Sequence, residues 1–434
     1  MKKFLALLLA FLMLFALTAC GEKTETPKAE DGEEVTITLW TYPIGGWGKD
    51  ETVSELIADF EACNPGIKVT VEYLDYTNGD DQVNTAIEGK AAPDLIMEGP
   101  ERLVTNWGAK GYMVDLSDLW KGDSENEIYA SIKSACQLDG KYYEYPLCMI
   151  AHCMAVNYTR FEEAGIADLL DLETHTWTTE NFIKAVETLA ENNDTVAAVY
   201  CSGQGGDQGT RALVNNLYGG TFTNPEHTEY TANSEPNIKA LELLKGMKGV
   251  NFDASIAGGD EIQLFRQGVL DMAFCWNILQ QVNTDNNDAG LTNDGDKIEF
   301  MAFPTDQAKP ALCGGIWGFG IFDNGDAAKI EAAKTFIKYF ANGAGTPAAV
   351  KASTFLPVRD KAAGQDMTQL FADDPITTEY IKILPLMGDY YNVGPGWAAA
   401  RTAWWNMLQK IGTGTDVKEA ADEFVATANA AAVG

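Results

Sequence analysis

The stretch Glu51–Leu74, ETVSELIADFEACNPGIKVTVEYL, decides the fold. Its first half sets Leu56, Phe60 and Cys63 on one helical face, since residues three or four apart lie above one another. Asn64-Pro65-Gly66 then stops the helix, because proline has no backbone donor and glycine tolerates the turn that follows. Beyond the stop, Ile67, Val69 and Val71 alternate with polar residues, the period of a half-buried strand. Upstream, VTITLW (Val35–Trp40) alternates in the same way, and the loop TYPIGGWGKD joins it to the helix. Strand, helix, strand is the unit of a parallel sheet and predicts an α/β protein.

The same alternation of elements continues along the chain. AIEGKAAPDLIMEG supplies a helix end and a short strand after Pro93-Asp94, and YPLCMIAHCMAVN is a long extended run ending at Asn157. TWTTENFIKAVETLAENN predicts a helix capped by Thr178, with Glu180 in its first turn and Phe182, Val186 and Leu189 sharing a face. TVAAVYCSGQGGDQ is a strand entering a glycine-rich loop, GVLDMAFCWN and ALCGGIWGFGIFDN are further strands, and AAKIEAAKTFIKYFAN is a helix. The C-terminal third reads as largely helical. At 434 residues the chain exceeds what one core usually organises, so two lobes are expected.

Lys2 and Lys3 before FLALLLAFLMLFALTA have the charged start and apolar core of a secretory leader. LTAC follows at Leu17–Cys20, then the polar tether GEKTETPKAEDGEE. No later segment has the roughly 20 apolar residues of a membrane span. The formal charge of −32 becomes more acidic once the leader and its two lysines are removed. That argues against nucleic acid and anionic lipid as partners. The seven cysteines after Cys20 are odd in number and scattered, without the spacing of a zinc site. They read as buried thiols, with a disulfide left open, and neither a metal nor any other cofactor is expected.

Taken in order, FEACNPGIKVTVE, EGKAAPDLI, NWGAKGYMVDLSDL, YPLCMIAHCMAVNYTRFEEAGI with TWTTENFIKA, GVLDMAFCWN, GGIWGFGIFDNGDAAKIEAAKTFIKYF, STFLPVRD and GWAAARTAWWNMLQKIGTGTDVKEAADE resemble the carbohydrate-binding solute-binding proteins of bacterial ABC importers, the group that includes maltose-binding protein. LTAC resembles a lipobox, which would leave Cys20 as a lipid-modified N-terminus after removal of residues 1–19, with residues 20–34 as tether. The resemblance implies a two-lobed periplasmic-binding-protein-like fold of type II, each lobe a mixed, mostly parallel sheet flanked by helices. The ligand would lie between the lobes. The lobes would be 35–150 with 316–356 and 151–315 with 357–434, crossing near Ile150–Val156, Ala311–Trp317 and Phe355–Val358.

It also implies where a ligand is met. In the first lobe these are Trp40, Tyr42 and Trp47 on the loop after the first strand, then Glu98, Glu101 and Arg102, where Glu98 replaces a family aromatic. In the second they are His152 on the extended run, Gln204 and Asp207 in the glycine-rich loop with Gln208 beside them, Trp276 and Asn277 at a strand end, and Tyr390 with its neighbours Met387 and Tyr391. Trp317 sits among glycines that suggest close approach of backbone to ligand or hinge. In the helix at GWAAARTAWW, Trp397 aligns with a sugar-stacking tryptophan and Arg401 with a cleft arginine, whereas Trp404 and Trp405 should be packing residues. The function implied is capture of a sugar, an oligosaccharide foremost, and delivery to a membrane permease by a lipid-anchored, monomeric, non-catalytic receptor. Alternatives are a polyamine, peptide or metal ligand, including an iron site at Tyr390 and Tyr391, or a surface glycoside hydrolase using two carboxylates. None of G-x-S-x-G, H-E-x-x-H or G-x-x-x-x-G-K-[ST] occurs.

Overall fold

The computed structural model describes residues 34–432 except 77, 122–126, 203–207 and 283–288. The leader, Cys20, Gln204 and Asp207 therefore lie outside the described residues. The chain divides into two compact units, Met1–Met149 with Ile316–Leu370 and Ile150–Gly315 with Phe371–Gly434. The expected boundary at 357 moves to 370. Residues 357–370 stay with the first unit because Tyr129 N donates to Val358 O and Tyr129 Oη to Asp360, while Ile128 bridges Arg359.

In the first unit the strand Val35–Thr41 pairs in parallel with Ile67–Tyr73 on one side and Leu95–Glu98 on the other. The helix Asp50–Cys63 connects the first pair. Its stop is as the sequence dictates: Asn64 Nδ2 donates back to Phe60 O at 2.9 Å, and Gly66 O accepts from Val35 N, which starts the sheet. Part of the strand Cys313–Ile321 adds on antiparallel to Leu95–Glu98. Buried Asp94 fastens this edge, accepting from Thr38 N at 2.9 Å and from Lys329 Nζ at 3.1 Å. Over the sheet lies the helix Ala327–Asn342, capped by Asp326. Its Phe336 and Phe340 meet Phe60, Phe319 and Trp47 in edge-to-face contacts, the packing that aromatic quadrupoles favour.

In the second unit, Met272–Trp276 and Ile298–Met301 run antiparallel to the later part of the long strand Tyr145–Asn157. The parallel expectation is met at Ala197–Ser202 and Val250–Ala257. The helix Thr179–Leu189 is capped by Thr178, whose hydroxyl accepts from Asn181 N. The C-terminal helices Trp397–Gly412 and Val417–Ala432 pack with Phe222 in a core of Trp404 and Phe424.

The glycines around Trp317 have a simple cause. A side chain at Gly314 would meet Ile150 O at 1.8 Å, and one at Gly318 would meet Tyr145 O at 2.3 Å. The close approach they permit is to the neighbouring strand. The seven cysteines after Cys20 form no disulfide among the described residues, and six of them are buried. Among the described residues no group of His, Cys, Asp and Glu is arranged to hold a metal ion, and no helix is long and apolar enough to cross a membrane.

Candidate functional site

Each unit carries one surface where polar groups and aromatic rings converge. In the first unit it forms where the strand Leu95–Glu98 gives way to a turn at Gly99 and Pro100. Arg102 lies one turn after Glu98 and reaches back, donating to Glu98 Oε1 at 2.7 Å and to Asp80 Oδ1 at 2.6 Å. Its guanidinium also sits 5.1 Å from the Tyr42 ring centre and 5.6 Å from that of Tyr76. The two tyrosines stack at 5.1 Å, and Tyr42 Oη donates to Asp80. Tyr76 is 51% exposed, so the cluster opens to solvent there. Glu98 lies at the closed end, 3% exposed. Burial pushes its carboxyl up to about 8 against the opposing pull of Arg102. Glu101 folds back over Gly99, where an added side chain would meet its carboxylate at 2.6 Å.

In the second unit the surface forms around Arg211, which the helix Gln208–Tyr218 buries completely. Its guanidinium lies 4.9 Å from the ring centre of Trp397, 5.4 Å from Phe222 and 5.8 Å from Tyr391. Arg401 approaches Trp397 at 5.9 Å. Cation and ring faces attract more strongly when water is excluded, so Arg211 fixes the aromatic floor. Beside this floor is a cavity of about 170 Å³, lined by Phe222 and Tyr391 together with Asn215, Thr221, Gln307, Lys309 and Asp389. Trp397 touches the two aromatic residues of that lining. His227 pairs with Asp389 at 2.8 Å at the rim.

The structure brings together Tyr42, Glu98, Glu101 and Arg102 in one unit and Trp397, Arg401 and Tyr391 in the other. The other candidates lie apart from these two clusters, several of them in the core. Trp47 is fully buried, donates to Ala349 O and packs between Phe319 and Phe340, so it is core. Trp40 belongs to the strand instead of the loop and is 8% exposed. Trp276 is fully buried against Phe265 and donates to Gln281. Asn277 caps the next short helix, accepting from Leu279 N. Tyr390 is 3% exposed and Met387 is also buried. Trp317 is half-buried and stacked on Phe355 at 4.5 Å. His152 is the half-buried position of a strand otherwise buried throughout. Trp404 is core as expected, whereas Trp405 is half-buried.

Asp80, Tyr76, Arg211, Phe222 and Asn215 were not legible. Tyr76 and Asp80 sit in a polar loop and a helix start, where tyrosine and aspartate are ordinary. Arg211 alone left a signal, a charge immediately before the apolar Ala212, Leu213 and Val214.

Residues 46–346 match the family model of the bacterial extracellular solute-binding proteins. The chain belongs to this family. Its members are exported binding proteins and not enzymes. The diacetylchitobiose binding protein DasA of Streptomyces coelicolor is 24% identical to this solute-binding protein over 233 residues, 52% of either chain. A putative binding protein of Brucella abortus is 28% identical over 165 residues, 38% of this chain and 37% of its own. The chain thus spans about half the length, or less, of these curated relatives. Among solved structures, the cyclic α-maltosyl-1,6-maltose binding protein of Arthrobacter globiformis is 18% identical with a TM-score of 0.73, covering 92% of this chain and 99% of its own. The GacH receptor of Streptomyces glaucescens is 16% identical with a TM-score of 0.67, covering 93% and 99%. An ABC substrate-binding protein of Listeria monocytogenes in complex with cycloalternan is 20% identical with a TM-score of 0.64, covering 92% and 99%. These likenesses establish the fold, that of the type II periplasmic binding proteins.

Proposed function

We propose that this solute-binding protein captures a carbohydrate, an oligosaccharide above all, and delivers it to the permease of an ABC importer. The lining of the second unit's cavity carries this reading. Phe222 and Tyr391 offer apolar faces to the C–H face of a sugar ring, while Asn215, Gln307, Lys309 and Asp389 offer donors and acceptors to its hydroxyls. A ring whose hydroxyls found no such partners would be costly to desolvate. The first unit adds Tyr42, Tyr76 and Arg102 as a second aromatic and guanidinium surface. The relatives named for diacetylchitobiose and for cyclic maltosyl sugars are of the same ligand class.

A ligand bound only by the native state raises the melting temperature, by about 2.7 kcal/mol of stability at a hundred times its dissociation constant. The soluble form lacking residues 1–20 should therefore show a shift with one or more oligosaccharides in a thermal screen of glucans, chitooligosaccharides, amino acids, peptides and polyamines. The glycan should be recovered unchanged by chromatography. A screen in which no carbohydrate shifts the transition refutes the reading.

Anchoring is proposed through Cys20, behind the leader Met1–Ala19. Two acyl signals give stable membrane attachment where one is marginal. Cys20→Ala should abolish labelling by a fatty acid and move the protein from the membrane fraction to the medium. Unchanged labelling would assign the anchor elsewhere.

A further inference from the structure

The first unit holds an unusual concentration of buried acid. Glu98 is 3% exposed and Glu144 is fully buried. Among the described residues, Glu98 Oε2 and both carboxyl oxygens of Glu144 accept no hydrogen bond. Buried oxygens without a donor are expensive, roughly 1–3 kcal/mol each and more when charged. Apolar residues of similar size would have avoided that cost. Glu98 and Glu144 belong to one electrostatic neighbourhood: the charges of Glu98 and Glu101 both act on the carboxyl of Glu144. Asp80 contributes a further acid to Glu98, and the cations of the neighbourhood are Arg102, committed to Asp80 and Glu98 Oε1, and buried Arg359, which acts with Glu144 on the Cys136 thiol. At the open side stands the Tyr42–Tyr76 stack, with Tyr76 half-exposed.

We propose that this cluster receives a protonated amine of the ligand, with Glu98 Oε2 as its first acceptor, Glu101 supplying further negative field and Glu144 further acceptor oxygens. An ammonium group brings three donors and a positive charge to a place that has acceptors to spare. Aromatic faces beside carboxylates also favour a cation over a neutral group. The proposal rests on the solute-capture reading and narrows its ligand to one bearing an amine, either an amino sugar within a glycan or a free polyamine.

The groups acting on Glu98 are Arg102 and Glu101 of its own segment and Asp80 of the helix Gly79–Glu88, with Tyr42 and Tyr76 of the preceding loops in the same field, while Glu98 in turn acts on Glu144. An arriving ammonium favours the ionised form of Glu98, so amine binding should release a proton at neutral pH. A neutral glycan should not.

The experiment compares four probes on the soluble wild-type protein by calorimetry: a glucosamine oligomer, its N-acetylated form, a glucose oligomer of equal length, and spermidine. Repetition in buffers of different ionisation enthalpy counts the protons. The glucosamine oligomer or spermidine should bind at least about tenfold more tightly than the neutral glycans, with proton release, a ratio set by one hydrogen bond to a charged group. Glu98→Gln should reduce that ratio towards one and remove the proton release. Glu144→Gln, which keeps shape and polarity, should lower the ratio in the same direction. Tighter binding of the neutral glycans, or an undiminished preference in both variants, overturns the amine proposal and leaves the carbohydrate reading standing. Binding of spermidine with no glycan bound does the reverse. Failure of all four probes removes the amine proposal.

Discussion

Trp404→Ala should lower the stability of the second unit by about 3–5 kcal/mol, the usual cost of emptying a buried aromatic site. Trp404 is fully buried, donates to Thr210 Oγ1 at 3.0 Å, and meets Phe222 and Phe424 edge to face. Truncation therefore leaves a cavity and removes the hydrogen bond to Thr210. For a unit of this size the loss corresponds to a fall in melting temperature of about 10 °C. Trp397→Ala, seven residues earlier on the same helix, should behave differently. Trp397 is half-buried, so its removal should cost about half as much stability. It should also abolish the ligand-induced thermal shift, because the rings of Phe222 and Tyr391 lose their support beside the cavity. Paired melting curves with and without ligand decide the matter. Equal loss of ligand response in both variants would place Trp404, against expectation, at the ligand.

The second large effect is on pH. Burial pushes Glu98 and Glu261 up to about 8 and raises Glu144 well above the carboxylate range. In the unfolded chain the same groups ionise near 4.3. The folded state thus holds protons that the unfolded state has released, and the sign follows: stability is full below about 4.3 and is lost as pH rises through about 8. Stability therefore declines with rising pH across that interval. Glu61, held low by Lys68, and Glu379, held low chiefly by Lys382, act oppositely and lose their contribution only on acidification. The melting temperature should therefore be highest in mildly acid solution and several degrees lower at pH 9. Glu98→Gln should flatten part of that slope. A melting temperature that rises from pH 5 to pH 9 would contradict the buried, proton-bound state of these acids.

Local pattern carried much of the fold. The Asn64-Pro65-Gly66 stop, the Thr178 cap and the alternation of Val35, Ile37 and Leu39 each depend on neighbours in sequence, and each stands where expected. The site was less legible, because a tryptophan in a glycine-rich loop looks exposed until its partners are known. Trp47 lies in such a loop, yet the helices Ala327–Asn342 and Thr346–Ser353 supply Phe340 and the Ala349 carbonyl that bury it. Trp276 ends a strand as a ligand residue would, but Phe265 and Gln281 enclose it. Tyr42 and Arg102 come together with Asp80 and Tyr76 only because the parallel strands Val35–Thr41 and Leu95–Glu98 lie side by side.

What the sequence determined by itself, then, was the order of strands and helices and the family they resemble, since periodicity, caps and breakers act over a few residues. Tertiary structure alone decided which aromatic and charged side chains share a surface. Arg211 beneath Trp397, and Glu144 within the field of Glu98, are placed by packing between segments far apart in the chain, and their energies depend on a burial that no local pattern encodes.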